Sequence, residues 1–285
     1  MKDFKNKVAV ITGAASGIGR GLANQSAKEG MKVVLADIEK DPLFKAEEEL
    51  KNTGAKVISV LTDVSKEEDI KKLAQITLEE FGEVHLLFNN AGVGTEGLIW
   101  ENTIADWEWV LNVNLWGVIH GIRIFTPIML KQDTDCYIVN TGSGFSLIHG
   151  SGIYGVTKRG VLNLSEFLNI QLTRLKSKIK VAVIIPGIIN TNIINSERNR
   201  PPTLQNDPIE TNSDLAERWE QMRMFTEQNF KDGMDPNHLA RIVFYGLRKN
   251  KFHIIGDPAI KGLYKIRINR ILRDIKHFEN NIGEI

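Results

Sequence analysis

Tyr154 and Lys158 are the residues whose types and spacing most directly suggest chemistry. They are four residues apart in a segment with helical periodicity, so both side chains should project from one face of a helix. A free phenol titrates near pH 10, and lowering its pKa by roughly three units requires about 4 kcal/mol. One cation about 4 Å away, at an effective dielectric constant near 20, supplies about 4 kcal/mol. The pair is therefore predicted to exchange a proton with a bound ligand near neutral pH.

A glycine-rich turn lies directly after the first predicted strand and opens the first predicted helix. Its sequence is Thr12-Gly13-Ala14-Ala15-Ser16-Gly17-Ile18-Gly19. Glycine permits a tight turn and a close approach of the backbone to a pyrophosphate, whose charge is stabilised at a helix N-terminus. Such a sequence can also be only a turn, but its place between a strand and a helix favours a dinucleotide site.

Asp37 ends the second predicted strand, about twenty residues after this turn. A carboxylate there can accept hydrogen bonds from an adenosine ribose, and it would repel a 2′-phosphate. NAD is therefore favoured as the cofactor, and NADP is less favoured. Arg20 and Lys40 are close enough in sequence to keep NADP open as an alternative. Asp37 could also simply cap a helix or a loop.

Short apolar runs rich in Val and Ile alternate with longer segments of helical periodicity. The runs are typical of strands buried on both faces of a sheet, and they are Lys7–Thr12, Lys32–Asp37, Lys56–Leu61, Val84–Asn89, Tyr137–Thr141, Ile179–Ile185 and Phe252–Ile255. The helical segments are 17–29, 43–53, 66–81, 106–131, 152–177 and 236–249, with Ser65 and Glu68 in capping-box positions before the third. This alternation predicts a single α/β domain, 1–285, built on a doubly wound parallel sheet of about seven strands with helices on both faces.

Two segments depart from this rhythm. The polar, proline-containing stretch 192–235 is predicted to be a substrate lid. Four apolar residues within it are near helical spacing: Leu215, Trp219, Met222 and Phe225. They could line a pocket, or they could only pack the lid against the core of the domain. The C-terminal extension 260–285 is predicted to be a basic amphipathic helix. Such a helix can lie on an anionic membrane, but packing on a neighbouring subunit or on its own domain is favoured.

Composition limits the function classes. The chain has 285 residues, 42% of them hydrophobic, and a net charge of +1, so no nucleic-acid partner is expected. No run approaches 18 uninterrupted apolar residues, so no transmembrane segment is expected. The charged N-terminus does not resemble a secretory signal. Cys136 is the only cysteine and no zinc-like spacing occurs, so no metal is expected. A cytoplasmic location is predicted.

The motifs together resemble the short-chain dehydrogenase/reductase family in its common soluble, NAD-preferring branch. In chain order they are the glycine turn, Asn89-Asn90-Ala91-Gly92, Asn114, Ser143, Tyr154-x-x-x-Lys158 and Pro186-Gly187. The match runs from about Lys5 to Gly256. The resemblance implies a Rossmann fold, a nicotinamide cofactor, a catalytic set of Asn114, Ser143, Tyr154 and Lys158, and a homo-oligomer, either a tetramer or a dimer.

The resemblance also implies roles for single residues at the cofactor. Asp63 and Val64 would hold the adenine. The backbone of Ile189 and the hydroxyl of Thr191 would fix the nicotinamide carboxamide. The remaining predicted cofactor residues are Gly13, Ser16, Gly17, Ile18, Gly19, Asp37, Asn90, Ala91, Gly92, Tyr154 and Lys158.

At the substrate, the resemblance implies that Ser143 bonds the reacting oxygen and that Asn114 holds a water linking Lys158 to solvent. Ser143 and Tyr154 are only eleven residues apart, which is shorter than the family pattern. Ser146 or Ser151 therefore stays open as the working hydroxyl.

The expected function is an NAD(H)-dependent oxidoreductase that transfers a hydride between nicotinamide and a secondary alcohol or ketone. A bulky apolar substrate, such as a steroid, a terpene or an aromatic ketone, would suit the apolar residues of the predicted lid. The alternatives are an NADPH-dependent ketone reductase and a catalytically silent nucleotide-binding regulator. The presence of Ser143, Tyr154 and Lys158 argues against the regulator, because binding alone does not require Tyr154.

Overall fold

Seven parallel strands form a single sheet in the computed structural model, which describes residues 1–95, 97–206, 224 and 226–281. The strands are β1 (Val8–Thr12), β2 (Lys32–Asp37), β3 (Val57–Leu61), β4 (Leu86–Asn89), β5 (Cys136–Thr141), β6 (Ile179–Ile185) and β7 (His253–Ile255). Their order is β3-β2-β1-β4-β5-β6-β7, with every neighbouring pair parallel. The predicted fold class is confirmed, and the predicted strand ends differ from the observed ones by at most two residues.

Helices cover both faces of the sheet. They are α1 (Gly17–Lys28), α2 (Lys40–Lys51), α3 (Glu67–Phe81), α4 (Ile104–Leu111), α5 (Gly117–Gln132), α6 (Gly152–Arg174), α7 (Pro236–Arg248) and α8 (Ile260–Asn281). One core packs α1, α2 and α7 against alternate strand residues such as Ile11 and Leu35. The other packs α3, α5 and α6 against the intervening residues such as Val10 and Val34. Because both faces are covered, the strands are apolar at nearly every position.

The strand order places a crevice at the carboxyl ends of β1 and β4. The chain moves from β1 to β2 on one side and later returns to β4 on the other side of β1. In open parallel sheets this reversal separates the loops that follow the two strands, and ligands bind in the crevice between them. The glycine turn follows β1, and Asn90, Ala91 and Gly92 follow β4.

The helix predicted over 106–131 is not continuous. A π-helical turn, Asn112–Trp116, separates α4 from α5 and contains the fully buried Asn114. A π turn inserts one extra residue into a helix and often marks a functional site. Periodicity alone could not reveal it, because apolar residues continue on both sides of the turn.

The start of α3 also differs from the prediction. Ser65 does not cap the helix, because its N–H and its hydroxyl both donate to Oδ1 of Asp63, at 3.0 and 2.6 Å. The helix begins at Glu67, after the N-cap residue Lys66, whose side chain makes no capping hydrogen bond. The predicted start of α2 was late, since that helix begins at Lys40.

One helical stretch of the described residues, Ile104–Gln132, is long and apolar enough to pass a compositional test for a membrane span. It comprises α4, the π turn and α5, and 44% of its most apolar part is buried inside the fold. Phe125 and Met129 of this stretch pack against the sheet. Core helices of globular proteins pass the same test, so packing against the sheet accounts for the composition.

The predicted lid is described only in part. Two short 3₁₀ helices, Ile193–Asn199 and Pro202–Leu204, follow β6. The four apolar residues considered for the lid, Leu215, Trp219, Met222 and Phe225, lie outside the described residues. The assignment of 1–285 to one domain, with 192–235 as its lid and 260–285 as an extension, stays a prediction.

Candidate functional site

The glycine turn is shaped to admit a ligand close to its backbone. Gly13 and Gly17 have φ of +64° and +51°, in the left-handed region that favours glycine. A Cβ on Gly17 would lie 2.9 Å from Cγ2 of Thr191, and a Cβ on Gly19 would collide with the carbonyl oxygen of Gly13. Ser16 precedes α1 without a side-chain capping bond. The first-turn N–H groups of α1 are thus left uncapped by Ser16, as an anion site at a helix N-terminus requires.

Asp37 lies beside this turn and helps to hold it. One carboxylate oxygen accepts a hydrogen bond from the backbone of Ala15 at 2.9 Å, and the other accepts from the backbone of Glu39 at 3.0 Å. The side chain is largely buried. Burial raises the pKa of Asp37, and the two backbone bonds oppose that rise.

Asn90 joins the carboxyl ends of three strands. Its side-chain amide donates to the carbonyl oxygen of Thr12 at 2.9 Å, and its backbone N–H donates to the Thr12 hydroxyl at 2.9 Å. Its amide oxygen accepts from the hydroxyl of Thr141 at 3.1 Å. Thr12 ends β1, Thr141 ends β5, and Asn90 itself follows β4. Asn90 therefore holds the ends of these three strands together at the bottom of the crevice.

Most of the predicted cofactor residues line one cleft at this edge of the sheet. They are Gly13, Ser16, Gly17, Ile18, Asp37, Asp63, Val64, Asn90, Ala91, Gly92, Tyr154, Lys158 and Thr191. Two others do not line it. Gly19 packs against the backbone of Gly13, and Ile189 is buried and paired with Met234. The open helix N-terminus, the crowded glycines and the Asp37 carboxylate together fit a dinucleotide.

Lys158 is enclosed at the inner end of the cleft. Its ammonium donates to the carbonyl oxygen of Thr141 at 3.0 Å and lies 5.6 Å from the centre of the Tyr154 ring. A Cβ on Gly92 would come within 3.3 Å of this ammonium. The helical spacing of Tyr154 and Lys158 on α6 therefore brings them to the same place, as the sequence predicted.

Ser143, rather than Ser146, meets Tyr154. Ser143 lines the same cavity as Tyr154, and its side chain acts to lower the pKa of the Tyr154 phenol. Ser146 is occupied elsewhere, because its hydroxyl donates to the carbonyl oxygen of Lys158 at 2.8 Å and accepts from the backbone of Ser143 at 3.0 Å. Ser151 precedes α6 and lines a cavity on the outer side of Tyr154.

The pKa of Tyr154 is shifted in the direction opposite to the sequence-based expectation. Burial raises the pKa of the phenol, and the nearby Ser143 side chain opposes the rise only in part. Burial also lowers the pKa of Lys158 to about 8. The attraction between the ammonium and a phenolate does not offset the cost of removing both charged groups from water. With its pKa raised above the ordinary value, the phenol of Tyr154 is neutral near pH 7.

Asn114 uses its side chain to hold the loop after β4. Its amide oxygen accepts from the backbone of Val93 at 2.8 Å, and its amide nitrogen donates to the carbonyl oxygen of Val93 at 2.9 Å. A longer bond of 3.2 Å reaches the hydroxyl of Thr157. These contacts give Asn114 a positioning role at this loop. The water relay predicted for it stays a prediction.

A cavity of about 540 Å³ opens on the outer side of Tyr154. Ser143 and Tyr154 belong to its polar lining, together with Thr95, Ser151, Thr226, Asn229 and Asp257. The rest is largely apolar and includes Phe145, Ile148, Pro186, Ile188, Ile193, Ile194, Phe230, Ile260 and Leu263. Ile260 and Leu263 belong to the first turn of α8, beyond the end of the family resemblance at Gly256. Motif comparison could not have found them, since they carry no motif. The size and lining suit a small organic ligand.

A buried ion pair anchors the segment that flanks this cavity. The Arg200 guanidinium donates to Asp106 at 2.7 Å and to Glu197 at 2.6 Å, and it lies 4.3 Å from the centre of the Trp109 ring. The side chains of Arg200 and Asp106 are only 4% and 6% exposed. Asn206 donates to the same Asp106 oxygen at 2.9 Å. The chain after β6 is thereby fixed to α4, by residues that the sequence analysis did not single out.

Comparison with known proteins identifies the family. The sequence profile of the short chain dehydrogenase family matches residues 7–202. A short chain dehydrogenase/reductase from Burkholderia phymatum, solved in complex with NAD, is 39% identical, with 96% of this chain and 97% of that chain covered and a TM-score of 0.91. The CLA biosynthesis dehydrogenase/reductase of Lactiplantibacillus plantarum is 33% identical over 96% of both chains. The C alpha-dehydrogenase of Sphingobium sp. is 33% identical over 93% of this chain and 85% of its own length.

The chain belongs to the short chain dehydrogenase family. The resemblance stated from the motifs is confirmed, and so is the prediction that the protein is an oxidoreductase of that family.

Proposed function

We propose that the protein is an NAD(H)-dependent oxidoreductase that transfers a hydride between nicotinamide and a secondary alcohol or ketone. The observation that carries the proposal is the position of Tyr154, which lines both the dinucleotide cleft and the outer apolar cavity. A proton donor is thus present where the two ligands would meet. When bound, the nicotinamide would supply or accept the hydride.

The chain's own residues would move the proton and hold the reacting oxygen. In ketone reduction, the neutral phenol of Tyr154 donates its proton to the oxygen that becomes a hydroxyl. Ser143, which lines the cavity together with Tyr154, donates a hydrogen bond to the same oxygen and orients it. Lys158, enclosed beside the ring, stabilises the phenolate that remains. In alcohol oxidation the proton moves the other way.

The substrate is proposed to be bulky and apolar. The cavity beside Tyr154 is lined mainly by apolar side chains from the loop before α6, the segment after β6 and the first turn of α8. A steroid-like, terpene or aromatic alcohol would bury its carbon skeleton there and present its oxygen to Ser143 and Tyr154. Two relatives, both named as dehydrogenases, match this chain over 93% or more of its length, which includes the cavity-forming segments.

A screen of alcohols with NAD, followed by NADH absorbance, tests the proposed activity. The panel should include hydroxysteroids, terpene alcohols, aromatic alcohols, sugars and hydroxyacyl compounds. We expect turnover with at least one bulky apolar alcohol and little with sugars. Tight NAD binding without oxidation of any alcohol would favour the silent regulator instead.

NAD is proposed over NADP because of the carboxylate at the end of β2. In Asp37→Ala we expect NAD affinity to fall about tenfold, equivalent to about 1.4 kcal/mol, because bonds to the ribose are lost. We expect the relative affinity for NADPH to rise, because the repulsion of a 2′-phosphate is removed. Titration of both reduced cofactors by fluorescence measures these changes.

Asp41→Ala is the matched control, since Asp41 lies in the first turn of α2 and does not line the cleft. A wild-type protein that prefers NADPH would refute the NAD assignment and favour the alternative of an NADPH-dependent ketone reductase.

Self-association is proposed from side chains on α5 and α6. Trp116, at the end of the π turn, and Leu130, Phe167 and Ile170 on these two helices are each 39% or more exposed. Large exposed apolar patches favour contact with another protein surface. A dimer or a tetramer would cover them. The cytoplasmic location stays a prediction.

A further inference from the structure

A cation lines the end of the cleft that holds Asp37, where the adenosine is proposed to bind. It is neither Arg20 nor Lys40, the two cations considered from the sequence. Arg20 forms an ion pair with Glu49 at 2.7 Å, and Lys40 lies 6.0 Å from the centre of the Phe44 ring. Neither lines the cleft. Arg198 does line it, together with Asp37 and Glu39. Arg198 comes from the 3₁₀ helix after β6, so proximity in sequence gave no indication of it.

Arg198 and Glu39 form a two-point ion pair. Nε of Arg198 donates to one carboxylate oxygen of Glu39 at 2.9 Å, and Nη2 donates to the other at 2.7 Å. The remaining nitrogen donates to the carbonyl oxygens of Asn192 and Asn195, at 3.1 and 2.8 Å. Every nitrogen of the guanidinium therefore has a partner within the protein. The bonds from Arg198 lower the pKa of Glu39, which keeps that carboxylate ionised.

The pair lies beside the carboxylate proposed to select the cofactor. Glu39 follows Asp37 by two residues, and its backbone N–H donates to Asp37. The ion pair thus connects the loop after β2 to the segment after β6, across the rim of the cleft. Both side chains are partly buried, with 35% of Arg198 and 21% of Glu39 exposed.

We propose that Glu39 is a second determinant of the preference for NAD, because it engages Arg198 and so withholds that cation from a 2′-phosphate. Among the described residues that line the cleft, the other cation is Lys158, at the nicotinamide end. A planar guanidinium binds a carboxylate and a phosphate with the same two-point geometry, so the two anions compete for it. The carboxylate is built into the protein and always present. The inference rests on the proposed function for the identity of the cofactor.

Glu39→Gln is the variant that tests this proposal. The amide keeps the size of the side chain but removes its charge, so Arg198 becomes available to a phosphate. We expect the ratio of the NADPH dissociation constant to the NADH dissociation constant to fall about tenfold. In the double variant Glu39→Gln/Arg198→Gln the ratio should return to within about twofold of the wild-type value, because the freed cation is absent. The measurement is fluorescence titration of each cofactor without substrate.

Glu49→Gln serves as the matched control, because Glu49 neutralises Arg20 outside the cleft. In Glu49→Gln, the ratio of the NADPH dissociation constant to the NADH dissociation constant should equal that of the wild type. An unchanged ratio in Glu39→Gln, or a lowered ratio that persists in the double variant, would overturn the proposal while leaving the hydride-transfer function intact. A wild-type chain that binds neither cofactor would overturn both. Melting curves of all variants show whether each is folded under the conditions of titration.

Discussion

Tyr154→Phe is expected to reduce turnover by at least about a hundredfold while leaving the affinity for NAD nearly unchanged. The substitution removes only the hydroxyl that donates the proton. The ring keeps its packing, including the edge-on contact with Phe145 at 6.4 Å between ring centres. Steady-state kinetics on the best alcohol from the screen, with a separate NADH titration, measures the two effects.

Tyr137→Phe provides the matched control. The Tyr137 hydroxyl is also enclosed, lying 3.0 Å from the carbonyl oxygen of Leu247 and 2.8 Å from the side chain of Asn250, and burial raises its pKa to about 12. It lines neither the cleft nor the outer cavity. Its loss should lower the free energy of unfolding by about 1 kcal/mol and leave turnover unchanged. Retention of most of the activity in Tyr154→Phe would remove that residue from its proposed role.

Arg200→Leu is expected to lower the free energy of unfolding by about 3–5 kcal/mol. The substitution leaves the Asp106 carboxylate buried without its cation, and the neutral donors that remain, the Asn206 amide and the Thr103 backbone N–H, cannot replace the lost charge. The stacking of the guanidinium on Trp109 is lost as well. Urea denaturation followed by circular dichroism measures the change.

Lys178→Ala is the comparison for this prediction. Lys178 and Asp133 form an ion pair of similar length, 2.8 Å against 2.7 Å, but their side chains are 53% and 74% exposed. Removing an exposed pair should change the free energy of unfolding by no more than about 1 kcal/mol, because water screens it. If the two variants lost equal stability, the buried network would not anchor the segment after β6.

Much of the fold could be predicted because its signals are local. Strands buried on both faces are apolar at successive positions, and the glycine turn lies within eight residues between a strand and a helix. The four-residue spacing of Tyr154 and Lys158 is likewise a property of one helix. These patterns needed no knowledge of which elements meet in space.

The features that were missed depend on distant contacts. Arg198 lies 159 residues from Glu39, and Arg200 lies 94 residues from Asp106, so no local pattern connects either pair. The raised pKa of Tyr154 also follows from the enclosure made by several elements, which a single helix does not show. The contribution of α8 to the outer cavity was missed for the same reason.

The π turn before α5 sets the rotational phase of everything that follows it. An α-helix advances about 100° per residue, so deleting one residue from Asn112–Trp116 to restore a regular helix would rotate α5 by that angle relative to α4. Phe125 and Met129 would then turn away from the sheet, even though the composition of the helix would be almost unchanged. Because of this single inserted residue, Asn114 can contact the loop after β4 while the apolar side of α5 still faces the sheet.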